Sequence, residues 1–136
     1  MTATNREIVA LHRYFIWANR MRIHFDESLN KKGMPNENLI MAEPYMHYWY
    51  AGLSVLIEGW RALELHDEVI DSLLESPNVR LLQRYRNGVF HYQRNYFDQR
   101  FLGFITEGVN CVEWVRSLNE EFSRWFLTRD KDPQES

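Results

Sequence analysis

Residues 44–65 limit the fold of this chain more than any other stretch. Tyr45, Met46, Trp49, Tyr50, Leu53, Val55, Leu56, Ile57, Trp60 and Leu63 leave almost no polar face on a helix. A helix that is apolar nearly all round has to be covered by others, which makes it the central element of a bundle. Pro44 is tolerated in a first helical turn and sets the expected start. Only four prolines and six glycines punctuate the 136 residues. No two-residue apolar alternation with turn dipeptides occurs, so strands are not expected. The expected fold class is all-α, a single domain over 1–136 built as a bundle of four to five helices, with a disordered tail over about 129–136.

The remaining helices are punctuated by local signals. Thr4-x-x-Glu7 reads as a capping box that opens the first helix. Ile8, Leu11, Phe15 and Ala18, then Val9, Ile16 and Ile23, recur at three- and four-residue steps up to about Asn30. Residues 30–36 (Asn-Lys-Lys-Gly-Met-Pro-Asn) form the clearest loop. Asp67 is an expected N-cap for a short helix to Glu75. Ser76-Pro77 breaks the chain, and Pro77 at the first helical position opens a helix over 77–92. Residues 94–105 carry no clear pattern. A last helix is expected from Thr106 or Asn110, where Asn110 offers a capping box with Glu113. It carries Val112, Val115, Leu118, Phe122, Trp125 and Phe126 at helical spacing.

Length and charge narrow the class. A chain of this size buries roughly two-thirds of its unfolded surface, enough for a core without staples. One cysteine, Cys111, excludes an internal disulfide and a Cys-ligated zinc site. A net charge of −3 and a pI near 5.9 argue against coating nucleic acid with the whole surface, but leave room for a local basic site. The first residues have no signal-peptide apolar region, and no apolar run reaches the ~20 residues that span a bilayer. A cytoplasmic protein with no membrane association is expected.

Charge is segregated along the chain. Over 58–75 there are six acids against Arg61, and over 80–100 five arginines against Asp98. All five are Arg and none is Lys, which suits bidentate phosphate contact. On a helical wheel Val79, Leu81, Leu82, Tyr85, Val89 and Tyr92 form the core-facing arc. Arg80, Arg84, Asn87, His91 and Arg94 form a polar, basic stripe opposite. Arg86 falls on the wrong side, beside Leu82, Val89 and Phe90. A guanidinium there must snorkel or find an anionic partner, because burying it unpaired is costly.

The run Arg86-Asn87-Gly88-Val89-Phe90-His91 resembles the Arg-x4-6-His signature of the HEPN superfamily, whose members often carry a polar residue directly after the Arg. The stretch 48–93 is also similar to stand-alone bacterial HEPN proteins: an aromatic helix ending Glu58-Gly59-Trp60, a short acidic helix, then the Arg-Asn-x-x-x-His helix. Arg6/His12, Arg61/His66 and Arg84/His91 satisfy the same spacing, but only Arg86 is followed by Asn inside the arginine-rich segment. The tyrosine that some toxin-linked members place two residues after the His is Gln93 here. The resemblance implies a small all-α bundle that acts as a metal-independent, cofactor-free endoribonuclease, with paired motifs lining one cleft of a homodimer. It also implies an alternative, a non-catalytic module that binds nucleotide, RNA or a partner protein. A toxin–antitoxin or anti-phage defence setting, with an antitoxin or defence-system partner, belongs to the same expectation.

The residue types suit RNA transesterification. His91 serves as general acid or base because an ordinary imidazole titrates near neutral pH. Arg86 stabilises the phosphorane's charge, and Asn87 orients the phosphate or the imidazole. Arg80, Arg84 and Arg94 contact phosphates without reading bases. Residues five apart on a helix are rotated by about 140°. Arg86 and His91 of one chain therefore share a face only if the helix distorts at Gly88; otherwise the site combines two chains.

Other residues have blander expectations. His12, among Ile8, Phe15 and Ile16, is a hydrogen-bonded core or interface residue. Glu43 and His47, four apart, suit a metal between helices. No Glu-x-x-His or His-x3-His pair supports that third reading, a metal-binding bundle. The aromatic stripe from Tyr45 to Trp60 reads as core, and Cys111 as structural.

Overall fold

The computed structural model describes residues 2–96 and 98–130, and among them every regular element is a helix. There are six: α1 (Asn5–Leu29), α2 (Pro35–Ala62), α3 (Glu68–Leu73), α4 (Asn78–Phe90), α5 (Gln99–Glu107) and α6 (Cys111–Asp130). The all-α class holds, with six helices in place of four or five. The added one is α5, in the segment whose sequence carried no clear pattern.

α1 and α2 form a long antiparallel hairpin. The His24 and Tyr45 rings lie 5.2 Å apart, and Gly59 comes so close to Leu11 that a Cβ there would lie 2.3 Å from Leu11 Cδ1. α6 runs antiparallel to α1, tied by Asp26–Arg116, by Asn19–Asn119 and by His12 stacked on Phe126 at 4.5 Å. α4 packs on the other flank of α2, and α5 packs on α4. The central helix is α2, as its composition requires: Trp49, Tyr50, Leu53, Leu56, Ile57 and Trp60 are all buried.

The caps behave as local chemistry dictates. Thr4 accepts from the Glu7 N–H at 3.1 Å, and the Glu7 carboxylate accepts back from the Thr4 N–H at 3.0 Å. Asp67 accepts from the Val69 and Ile70 N–H groups at 3.1 Å each. The boundaries moved where prolines were involved. α2 starts at Pro35, nine residues before the expected Pro44, which lies inside it. Pro44 is exposed, so the carbonyl it leaves without an intrahelical donor is on the solvent side, open to water. Pro77 caps α4 from outside, and Ser76 Oγ accepts from the Asn78 N–H at 3.1 Å.

Two further corrections concern helix ends. α4 stops at Phe90, two residues short of the expected Tyr92, and Tyr92 is 91% exposed instead of facing the core. The chain has to reverse there because α5 folds back onto α4: a Cβ on Gly88 would lie 3.0 Å from Arg100 Cβ and 3.1 Å from the Phe101 ring. α6 extends to Asp130, into the tail expected from 129. Residues 131–136 of that tail lie outside the described residues. At the α5–α6 turn the fully buried Asn78 side chain donates to Val109 C=O at 2.8 Å and accepts from Val109 N–H at 2.9 Å. That pair fixes the turn to the start of α4.

Candidate functional site

The Arg-Asn-x-x-x-His run occupies the last turns of α4 and the residue beyond. Arg86 is held within the helix, its side chain 21% exposed, and its Nη1 donates to Glu58 Oε2 of α2 at 2.6 Å. The anionic partner that its apolar surroundings demanded is therefore present. Asn87 is half-buried, and its carbonyl accepts the N–H of His91 at 3.1 Å.

His91 is not on the helix. It has extended backbone (φ −125°, ψ 130°) and an exposed side chain. The wheel argument for its direction therefore lapses, and so does the stripe that ran through it: Arg80 and Arg84 lie on α4, Arg94 in the following turn. Arg80 and Arg94 are exposed and have no carboxylate partner among the described residues. Arg84 stands 3.8 Å from Glu107 of α5.

His91 borders a cavity of about 470 Å³ between α2, the end of α4 and α5. Arg86 and Asn87 do not line it. Within one chain the three expected catalytic residues are thus not gathered around this cavity. Arg61 and His66, with the same sequence spacing, do share one, a larger open cavity at the α2–α3 junction. There His66 Nδ1 lies 3.2 Å from Asp71 Oδ2, and Asp71 Oδ1 accepts from the Trp60 indole at 3.1 Å.

The histidines divide by what their rings touch. His47 is bonded on both nitrogens, Nδ1 to Tyr85 Oη at 2.5 Å and Nε2 to Glu43 Oε1 at 3.1 Å. His66 engages Asp71, His24 lies 4.0 Å from Glu27, and His12 stacks on Phe126. The His91 ring makes no hydrogen bond among the described residues. No group of three or more His, Cys, Asp or Glu side chains among them is placed to hold a metal ion.

Sequence reasoning passed over Tyr85, which the wheel put in the apolar arc. It is buried there, but its hydroxyl anchors His47. The signal that existed was the four-residue spacing of Glu43 and His47. The partner 38 residues away had none.

No family model matches this chain, and neither do the curated proteins nor the solved structures. No helix among the described residues is long and apolar enough to cross a membrane.

Proposed function

We propose that the protein is a HEPN-like, metal-independent endoribonuclease that cleaves RNA through attack of the 2′-hydroxyl, working as a homodimer in the cytoplasm. The single observation that carries this reading is the exposed His91 imidazole, unbonded among the described residues and set on extended backbone just past an arginine-bearing helix. With no partner among the described residues, both ring nitrogens are open to a bound substrate's protons. Arg80 and Arg94, exposed on either side of it in sequence, supply phosphate contacts that do not depend on base identity. Arg86 reaches the phosphate of a strand bound across two copies, with Asn87 beside it. The setting is toxin–antitoxin or anti-phage defence, with a protein partner that restrains the activity.

A second reading has an observation of its own. The 2.6 Å ion pair with Glu58 occupies Arg86, as a structural arginine would be occupied. That favours the non-catalytic module that binds RNA or nucleotide.

Labelled RNA incubated with the pure protein in EDTA tests the first reading. Cleavage should persist with chelator and leave 2′,3′-cyclic phosphate ends. His91→Ala should lower the rate by a factor on the order of 10² or more with the helical content unchanged. An intact substrate, with RNA still bound in a salt-dependent way, selects the second reading. Activity lost with chelator removes both.

A further inference from the structure

The cavity beside His91 has a chemistry that phosphate binding does not use. Among the described residues that line it there is one carboxylate, Glu43, and no arginine or lysine. Tyr92, Tyr96 and Phe101 line it, together with His47 and His91, Tyr92 and Tyr96 being 91% and 84% exposed. An anion would meet the Glu43 carboxylate with no cation to offset it. A positive charge would meet a carboxylate among aromatic residues.

The protonation pattern of the cavity wall follows from burial. Tyr85 is 1% exposed, and burial pushes its pKa well up, so its hydroxyl keeps its proton. Among the described residues His47 Nδ1 is the acceptor within reach of that O–H. Tyr85 therefore donates to Nδ1, which leaves the ring proton of a neutral His47 on Nε2, where it donates to Glu43 Oε1. The relay pins the carboxylate by one oxygen and aims it from α2. Its other oxygen, Oε2, has no hydrogen-bond partner among the described residues. What the wall lacks, among the described residues, is an arginine or lysine; the amides of Gln93 and Asn95 and the tyrosine hydroxyls are neutral donors.

We propose that this cavity is a binding site for an organic cation, a methylated ammonium or a guanidinium, which pairs with Glu43 and lies against the rings of Tyr92, Tyr96 and Phe101. Carboxylate and aromatic faces together are the general means of holding such ions. A volume of about 470 Å³ is ample for one. A divalent metal is a poorer fit, since a single carboxylate and an imidazole already bonded to it leave too few ligands. The inference is separable from RNA cleavage, because Glu43, Tyr92, Tyr96 and Phe101 have no part in the proposed reaction, although His91 borders the same cavity. The cation comes either from a free small molecule or from a side chain of a partner polypeptide.

Four probes test it on the full chain, with calorimetry and the amide signals of Gly88 and Asn95 as readouts: choline, agmatine, a short arginine peptide, and 3,3-dimethyl-1-butanol, the uncharged carbon isostere of choline. Choline or agmatine should bind at least about ten-fold more tightly than the isostere, and Glu43→Gln should weaken the cation by a similar factor. Equal affinity for choline and its isostere, no effect of Glu43→Gln, or no shift with either cation at millimolar concentration overturns the proposal. If Glu43→Gln disturbs folding, the comparison of choline with its isostere on the native chain decides alone. A short arginine peptide that binds more tightly than agmatine supports the site and assigns the cation to a polypeptide side chain. The reverse order supports the site with a free small molecule.

Discussion

The bond from Arg86 to Glu58 joins α4 to α2 at 2.6 Å, with Glu58 half exposed. Exposed and half-exposed ion pairs contribute little, about 1 kcal/mol at most, because water screens them and ordering two long side chains has an entropy cost. Glu58 is therefore more consequential as a restraint on Arg86 than as a source of stability. The expected result for Glu58→Gln is a loss of about 1 kcal/mol or less in denaturant unfolding, together with tighter RNA binding by fluorescence anisotropy, since the guanidinium is released toward phosphate. An RNA affinity unchanged by Glu58→Gln shows that Arg86 is a structural residue, and the endoribonuclease reading then loses its phosphorane-stabilising group.

Between elements, α1 and α6 are joined by a charged clamp. Asp26 accepts from Arg116 Nη2 at 2.7 Å and from Arg22 Nη1 at 3.1 Å. The hydrogen bond from Arg116 holds the Asp26 carboxyl below the usual aspartate range, against a smaller opposing effect of burial. Asp67 is lowered too: burial alone would raise it, but Arg124 and the N–H groups of α3 outweigh that. A carboxylate whose folded pKa is depressed adds stability above its unfolded value, near 3.8, and loses it as pH falls through the folded value. The melting temperature should therefore fall as pH drops below about 4. Asp26→Asn should lower it at neutral pH by an amount equivalent to about 1 kcal/mol and flatten the acid limb. Calorimetric melts of both proteins from pH 7 to pH 2 measure this, and an acid limb equally steep in Asp26→Asn refutes the assignment to the clamp.

Across the whole molecule, apolar surface is left uncovered on one side. Met41 and Tyr48 of α2 and Phe90 of α4 are 71%, 53% and 57% exposed, and the rings of Tyr48 and Phe90 lie 6.2 Å apart. They flank the end of α4 that carries His91. A second copy covering this face would bring two such ends together, as the composite site requires. Light scattering should give twice 16.5 kDa, and Phe90→Glu should return the mass of one chain and reduce cleavage along with it. A clean monomer at micromolar concentration for the native chain removes the composite site.

The local parts of this structure were legible without coordinates. The Thr4/Glu7 capping box and the Asp67 cap act over three or four residues. The buried side of α1, Ile8, Leu11, Phe15 and Ala18, follows from helical period alone. The all-round apolar composition of 44–65 made α2 central, and the position of Arg86 among apolar neighbours demanded an anion. Which acid answered, out of six over 58–75, was decided by the crossing of α4 on α2, 28 residues apart in sequence. The same packing turned Tyr85 from a core residue into the anchor of His47, and it ended α4 at Phe90 so that α5 could fold back over Gly88. Caps and periodicity depend on backbone groups within a turn or two, so the sequence by itself determined them. Long-range partners and the point where a helix must yield to a reversal depend on how helices cross, and only the tertiary structure decided those.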